Sequence, residues 1–593
     1  MKNSLIKFKK LIIISLTVTM FIVAGYNMSN IKAVDETLTD ENLNTAFTKV
    51  DEDGNITYMT DEELNASGIV ESTSKGRSAV STINSEYGVV NFNTKLSTQN
   101  TNYIDTLTNR TGYTNGHYGA DAAYLGHSSD GKVIFMMAGV IGKVAASEVQ
   151  VFDYSSSNVE TLSKYYVKNG KLYHGIVTNL KDSGYSSNIT VGYKPSYLEE
   201  GKEYYSYDGH YFYLNNNNKE SYKKMLTDYR NDTRANSVNP NNPYYNYYQY
   251  LSMRALSTFS ASQLNARIAS VKGSASIMYN KGTSFINVQN TYGVNAGLVF
   301  GLACNESGYG TSSIAINKNN LFGLNAVDSS PSESANYFSS VDQCIQEYAT
   351  NYMQQKYLNG NHSNYHGPHF GDKNSGMNVK YASDPYWGEK AASQSYTLDS
   401  SKSDYGKYSI GIAKSGKIST YAQPSTLGKV IYTTTDASDK NIYDYPVTIL
   451  DTVTGTDGNK WYKIQSDMPL NDSRTARNLN NNYSYSRDYV YVKASDINVV
   501  YQSDSDTVPT PDPTPTPDPT PTPDPTPTYL VGDVNGDGSV TSLDYVQIKN
   551  HIMGTKTLTG DALKRADVNL DGSVTSLDYI KVKNHIMGTS LLF

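Results

Sequence analysis

Cysteine is nearly absent from this chain: two in 593 residues, so no disulfide framework holds it together. Tryptophan is equally scarce, at two, against 52 tyrosines. No basic excess exists either. A formal net charge of −7 and a pI of about 5.8 argue against a nucleic-acid binder. Beyond the N-terminus no apolar run approaches the roughly 20 residues that span a bilayer, so no transmembrane anchor is expected. What is present is length and tyrosine. The chain is too long for one core, and about three to five domains are expected. Tyrosine has an apolar ring face and a hydrogen-bonding hydroxyl, which suits platforms for sugar rings. It also serves as a strand former in β-rich modules, and composition leaves both readings open.

The two ends carry the clearest punctuation. Lys2, Lys7, Lys9 and Lys10 precede the apolar stretch Leu11 to Ala24, and the small residue Ala33 follows. That order predicts a secretory signal over 1–33 and an exported protein. Residues 34–84 are polar with little periodicity, and a flexible N-terminal segment is expected there. Near the other end, 508–528 repeats Pro-Thr-Pro-Asp. Such a run fixes φ, removes backbone donors and forms an extended spacer of roughly 60 Å.

After the spacer a twelve-residue pattern occurs twice, from Asp533 to Asp544 and from Asp567 to Asp578. Short oxygen-bearing side chains recur at matching positions: Asp533, Asn535, Asp537, Ser539 and Asp544, then Asp567, Asn569, Asp571, Ser573 and Asp578. Gly538 and Gly572 sit at position 6, where a calcium loop turns sharply, so two calcium ions are expected. Each loop leads into a similar helical stretch, Tyr545 to Gly554 and Tyr579 to Gly588. This duplication over 530–593 resembles the type I dockerin, which plugs enzymes into cohesin domains on a scaffold protein. The resemblance implies that Ser542, Leu543, Lys549 and Asn550, and their equivalents Ser576, Leu577, Lys583 and Asn584, meet the cohesin. Either half could then present the same face.

Chemistry is placed between 251 and 398. Asn295 can cap a helix whose apolar positions Leu298, Val299, Leu302 and Ala303 recur at helical spacing. Glu306 lies near its C-terminal end, before the break Ser307-Gly308-Tyr309-Gly310. Apolar neighbours and the negative end of the helix dipole both disfavour an ionised carboxylate there. A carboxyl held neutral is what a general acid needs to protonate a departing glycosidic oxygen. Three motifs follow in order: Glu306-Ser-Gly-Tyr-Gly-Thr-Ser, Asn319-Asn-Leu-Phe-Gly-Leu-Asn325 and Tyr381-Ala-Ser-Asp-Pro-Tyr-Trp-Gly-Glu389.

Together they resemble the endo-β-N-acetylglucosaminidases of glycoside hydrolase family 73, which have a lysozyme-like, mainly helical fold. The resemblance implies cleavage after N-acetylglucosamine in the glycan strand of peptidoglycan, without a catalytic metal. It gives Glu306 the role of general acid and marks Tyr381 and Asp384 as site residues. An inverting mechanism needs a second carboxylate about 6.5–9.5 Å away. Glu333 is favoured, then Asp328, with Asp384 behind both. Otherwise the substrate's own 2-acetamido group attacks and Tyr381 or Asp384 stabilises the intermediate. Asn320, Phe322 and Tyr386 are candidate sugar contacts, although Phe322 could equally be core.

The flanking modules look all-β. Residues 85–195 resemble the β module that precedes the catalytic domain in pneumococcal-type wall glucosaminidases. Residues 196–250 hold a short module in which Asp208-Gly209 signals a hairpin. Residues 405–500 resemble bacterial Src-homology-3-like wall-binding domains, with a long polar insertion over 471–486. These modules either bind sugar or pack against the enzyme. His362, His366 and His369 with Asp372 could be imagined as a zinc site, but their Gly- and Asn-rich setting reads as an exposed loop. Cys304 and Cys344 are either a disulfide or two buried thiols.

The expected architecture is multidomain. A mainly α, lysozyme-like catalytic domain is flanked by small all-β barrel modules, and an α dockerin with paired calcium loops ends the chain. The expected function is a secreted peptidoglycan hydrolase tethered to a scaffold. A non-catalytic wall-binding protein and a glycosidase of chitin-like or glycoprotein glycans are the alternatives.

Overall fold

Period-two burial builds most of the N-terminal half. Thr101–Asp105 turns Thr101, Tyr103 and Asp105 inward and Asn102 out, and Val140–Val144 alternates likewise. The computed structural model describes residues 48–58, 85–325, 334–400, 402–503, 530–568 and 573–587. The expected signal segment and spacer, most of 34–84, and the candidate residues Asp328, Glu333, Asn569 and Asp571 lie outside them.

Three antiparallel sheets are present beside the helical region. The first has seven strands within 88–153, and its opening strand Gly88–Asn91 lies between Asp121–His127 and Gln150–Asp153. The second has five strands within 164–214. There Lys164–Lys168 pairs with Lys171–Ile176 on one side and Glu203–Tyr205 on the other. This sheet crosses the division expected at 195/196, because strands on both sides of that point share one ladder. The Asp208-Gly209 signal also differs from a two-residue hairpin. Asp208 accepts from the backbone of His210 and Tyr211 inside a wider loop joining Glu203–Tyr205 to Tyr213–Leu214. The third sheet has seven strands within 409–501, with Ile497–Tyr501 at one edge.

The helical region surrounds the helix Ala296–Ser307, every residue of which is buried. Around it lie Ala261–Val271, Gly282–Tyr292, Val341–Glu347 and Trp387–Leu398, with Val341–Glu347 running on into a π-helical stretch, Tyr348–Tyr357.

Sheets and helices interlock. The described residues up to 503 form one compact unit, and those from 530 form a second. Arg254 is fully buried and shows how. Its guanidinium donates to the carbonyls of Asp467 (2.8 Å) and Tyr292 (2.8 Å) and lies 4.3 Å from the ring centre of Tyr483. The polar insertion 471–486 therefore docks the third sheet on the helices. Gly293, with φ +63°, leaves room for that ring: a Cβ there would lie 2.1 Å from Tyr483.

Part of the segment expected to be flexible is also captured. Thr48–Val50 and Ile56–Tyr58 form a hairpin. Asp51 closes its turn by accepting from the backbone amide of Asn55 at 2.8 Å. Val50 and Ile56 enter the helical core, a burial contributing about 1.5–3 kcal/mol each. Much of the tyrosine is core as well, including Tyr204, Tyr207, Tyr222 and Tyr247.

The second unit is small. Helices Ser542–Ile552, Gly560–Ala566 and Ser576–Ile586 enclose Val534, Ile548, Leu558, Ala566, Val568 and Val582. Tyr545 and Tyr579 stack across it, with ring centres 4.3 Å apart. Among the described residues no helix is long and apolar enough to cross a membrane.

Candidate functional site

The helix Ala296–Ser307 is fixed at both ends. The Asn295 side chain accepts from the Leu298 amide at 2.9 Å and donates to Ala255, a cap contributing about 1 kcal/mol. Gly301 lets the helix Trp387–Leu398 approach, since a Cβ there would lie 2.4 Å from Ser395 Oγ. The helix stops where Gly308, Tyr309 and Gly310 all adopt positive φ, and Ser307 Oγ accepts from Gly310 N at 2.7 Å.

Glu306 is thereby held at the helix C-terminus, 6% exposed. Its Oε1 accepts from the indole Nε1 of Trp387 at 2.5 Å and from the Asn305 amide at 3.5 Å. Burial pushes the carboxyl up to about 8; these hydrogen bonds pull it back, and the Asp384 charge adds to the rise. At neutral pH the group therefore carries a transferable proton.

Tyrosines crowd the same place. Tyr381 stacks on Trp387 with centres 4.2 Å apart, and Tyr348 stacks on Phe322 at 3.8 Å. Burial raises the pKa of both tyrosines, and the charge of Glu306 raises each further. The two hydroxyls are buried and lie close enough to interact with each other, and neither bonds to a further group. A hydroxyl pair satisfied only by each other keeps donor and acceptor capacity for a ligand group. Tyr348 starts the π-helical stretch, a feature frequent at functional sites.

Asp384 is differently placed. It accepts from the Tyr386 amide at 2.8 Å and pairs with Lys390 Nζ at 2.6 Å, both partners almost wholly buried. It thus fixes the start of the helix Trp387–Leu398. Lys373 supports the same motif from behind, donating to the carbonyls of Asn378 and Ala382, and burial lowers its amine to about 7.

The expected sugar contacts are all enclosed. Asn320 donates to the carbonyls of Leu324 and Asn336 and accepts from Leu324 N, which shapes the Asn-Leu-Phe-Gly turn. Phe322 is core against Tyr348. Tyr386 lies edge-on to His174 at 4.8 Å, between helix and second sheet. In this structure these side chains position the site and offer no open face.

Trp387, Tyr348, Lys373 and Lys390 had no role in the reading of the sequence. The first stood inside the third motif without being given a role. Glu389 was also missed: it accepts from Tyr165 at 3.1 Å and lies 2.7 Å from His174 Nδ1, joining the second sheet to the helix that carries Trp387.

The histidine-rich stretch corrects the expectation of an exposed loop. His366 and His369 are buried beneath the surrounding sheets and helices, and burial lowers His369 to about 3. Among the described residues no group of three His, Cys, Asp or Glu side chains is gathered as a metal site. Cys304 and Cys344 are free, buried thiols; burial pushes Cys344 up to about 12.

In the second unit the first loop is locally ordered. Asp533 accepts from the amides of Gly536, Asp537 and Gly538, and the wholly buried Asp544 accepts from those of Asn535 and Thr541. Gly538 turns at φ +89°. The loop oxygens serve backbone amides here, but as a donor set of carboxylates, amide and hydroxyl they fit a hard cation. Asp578 repeats the role of Asp544 toward Val568 and Thr575, and Ser573 is exposed. Ser542, Lys549, Ser576 and Lys583 are exposed, and Asn550 and Asn584 are half-buried. Leu543 and Leu577 are 63% and 59% exposed. Val546 with Ile580, and Met553 with Met587, extend the same two faces and were not foreseen.

Comparison with known proteins follows this division. Residues 282–400 match the family described as mannosyl-glycoprotein endo-beta-N-acetylglucosaminidase, and residues 531–587 match the dockerin type I domain. A Streptococcus pneumoniae serotype 4 protein named "Putative endo-beta-N-acetylglucosaminidase" is 30% identical over 267 residues, 45% of this chain and 34% of its own length. The chain thus spans about a third of that relative. Similar solved structures include a catalytic mutant of S. aureus autolysin E with the disaccharide NAG-NAM: 21% identity, TM-score 0.21, 26% of this chain and 73% of that one. Another is the Acetivibrio cellulolyticus ScaB dockerin bound to the third ScaC cohesin: 33% identity, TM-score 0.11, 11% of this chain and 92% of that one. The chain combines a glucosaminidase domain with a C-terminal type I dockerin.

Proposed function

We propose that the chain is an exported peptidoglycan hydrolase that cleaves the β-1,4 bond following N-acetylglucosamine and is tethered to a cohesin-bearing scaffold. The observation that carries this reading is the Glu306 carboxyl, pushed up to about 8 inside the matched region, beside the buried hydroxyls of Tyr348 and Tyr381. Glu306 gives its proton to the departing glycosidic oxygen as the bond to the anomeric carbon breaks. The carboxylate left behind keeps the Trp387 indole hydrogen bond, which stabilises it. Tyr381 and Tyr348 can donate to an acetamido or ring oxygen at the reacting sugar.

For the second half of the reaction, Glu333 or Asp328 would activate water. Asp384 is less suited, being tied to Lys390. The Tyr381 hydroxyl, bonded to nothing beyond Tyr348, favours a second route, in which the substrate's acetamido group attacks and Tyr381 steadies the intermediate. Calcium, held by Asp533, Asn535, Asp537, Ser539 and Asp544 and by Asp567, Asn569, Asp571, Ser573 and Asp578, would order the dockerin loops. Ser542, Leu543, Lys549 and Asn550, or Ser576, Leu577, Lys583 and Asn584, would then meet the cohesin.

Digestion of peptidoglycan followed by borohydride reduction and mass analysis tests the activity. Reduced glucosamine ends are expected. Reduced muramic acid ends would make it a muramidase, and absence of fragments a binding protein.

A further inference from the structure

A cleft of about 460 Å³ runs between the second and third sheets, and its walls are largely tyrosine. Tyr193 closes the strand Ser187–Tyr193 and Tyr197 follows in the next turn. Tyr244 comes from the connector before the short helix Tyr247–Tyr250. Tyr405 and Tyr501 come from the entry to the third sheet and from its edge strand Ile497–Tyr501. All of them are half-buried, unlike the tyrosines of the core. Tyr193 meets Tyr405 edge-on at 5.0 Å, and Tyr405 meets Tyr501 at 5.9 Å, so the wall is continuous and braced.

Polar groups line the rim. Lys402 is exposed, with its ammonium 4.3 Å from the ring centre of Tyr193. Asn241, Asn242 and Asn498 are exposed beside the cleft. Ile497–Tyr501 pairs only with Ser409–Ala413 among the described strands, so its outer edge offers backbone donors and acceptors. None of the residues lining this cleft belongs to the Glu306 site.

We propose that this cleft is a second glycan-binding site, taking a short run of β-1,4-linked N-acetylated hexosamines. Pyranose rings present flat C–H faces that stack on tyrosine, while acetamido and hydroxyl groups need the amides and backbone edge found at the rim. The volume lies within the range of about 300–1,000 Å³ usual for ligand clefts. Lys402 suits a carboxylate substituent on the glycan. The choice of sugar rests on the proposed substrate; the site itself rests on the cleft.

The test uses the full chain carrying Glu306→Gln and calorimetric titration with chitohexaose. Two binding sites per chain are expected. Adding Tyr197→Ala should weaken one of them roughly tenfold. Lys402→Glu, an exposed change that cannot disturb the core, should weaken the binding of carboxylate-bearing muropeptide glycan at that site more than that of chitohexaose. Affinities untouched by both changes, whether the parent shows one site or two, would overturn the proposal. Binding of a Pro-Thr-Pro-Asp peptide with no binding of chitohexaose would do the same. Failure of the glucosaminidase reading shows separately, as missing reduced glucosamine ends from the wild-type chain, and leaves these affinities as they are.

Discussion

The two compact units reach order by different means. In the larger, charge and polarity are buried because the rest of the chain supplies partners: Arg254 finds carbonyls from two regions, Lys390 finds Asp384, and Arg110 finds Asp436 at 2.9 Å. In the smaller, a core of a few aliphatic side chains is joined by carboxylate-rich loops whose described acids serve mainly backbone amides. A large interior can hold a carboxyl at an unusual pKa, as Glu306 shows. A small unit has less interior for that, and in the proposed reading calcium supplies its counter-charge from outside.

The strongest way to sharpen this contrast is Glu306→Gln. Turnover should fall by about 10²–10⁴, as removal of a general acid implies. The alkaline limb of the wild-type profile, set near pH 8 by Glu306, should vanish in any residual activity. A variant keeping more than a tenth of the rate would make Glu306 structural.

Chelation should act only on the other unit. With calcium removed, the full chain should lose cohesin binding by more than about tenfold, since like-charged loop carboxylates repel without the ion. Hydrolysis of peptidoglycan should be unchanged, and a parallel loss of both activities would break the comparison.

Arg254→Ala probes the opposite side. Several buried carbonyls would lose their donor, at about 1–3 kcal/mol each. Denaturant unfolding of the larger unit should shift by about 3 kcal/mol or more, while the amide exchange of residues 530–587 stays as it was.

A further effect concerns pH. The folded pKa of Glu306, about 8, lies above its ordinary value of 4.5, so the folded state binds the proton more tightly. Its contribution to stability is full below 4.5 and is lost as pH rises through 8. Relative to Glu306→Gln, the wild-type chain should therefore weaken over that window by up to about 1.4 kcal/mol per pH unit. Parallel pH profiles for the two would deny the shift.

The smallest effect is expected inside the dockerin. Because Leu543 and Leu577 are nearly equally exposed, Leu543→Asp alone should change cohesin affinity by no more than a few fold. Combined with Leu577→Asp it should abolish binding. A large loss from one single change would show that only one face is used.

What could be read in advance follows the range of the interaction. The Asn295 cap, the break after Ser307 and the twelve-residue loops are local, so residues a few positions apart announced them. The division of the β modules was not legible: Lys164–Lys168 pairs with Glu203–Tyr205, and nothing in either segment names its partner. Nor could Gly- and Asn-rich residues 364–376 be seen as interior, since their cover comes from distant sheets. The roles of Trp387 and Tyr348 were hidden for the same reason, the indole and Glu306 being 81 positions apart. The hairpin at 48–58 was masked by its polar flanks, with Val50 and Ile56 too few to set a periodicity.

That hairpin reaches further than its size. The Gly54 carbonyl accepts from Tyr309 at 3.1 Å and from Gln394 at 3.2 Å, touching the turn that ends the Glu306 helix and the helix that carries Trp387. A fragment trimmed to the recognisable 282–400 would lack this clasp as well as the bed of Arg254. Removal of the second unit leaves both contacts in place, whereas removal of 48–58 or of 409–501 takes one of them away.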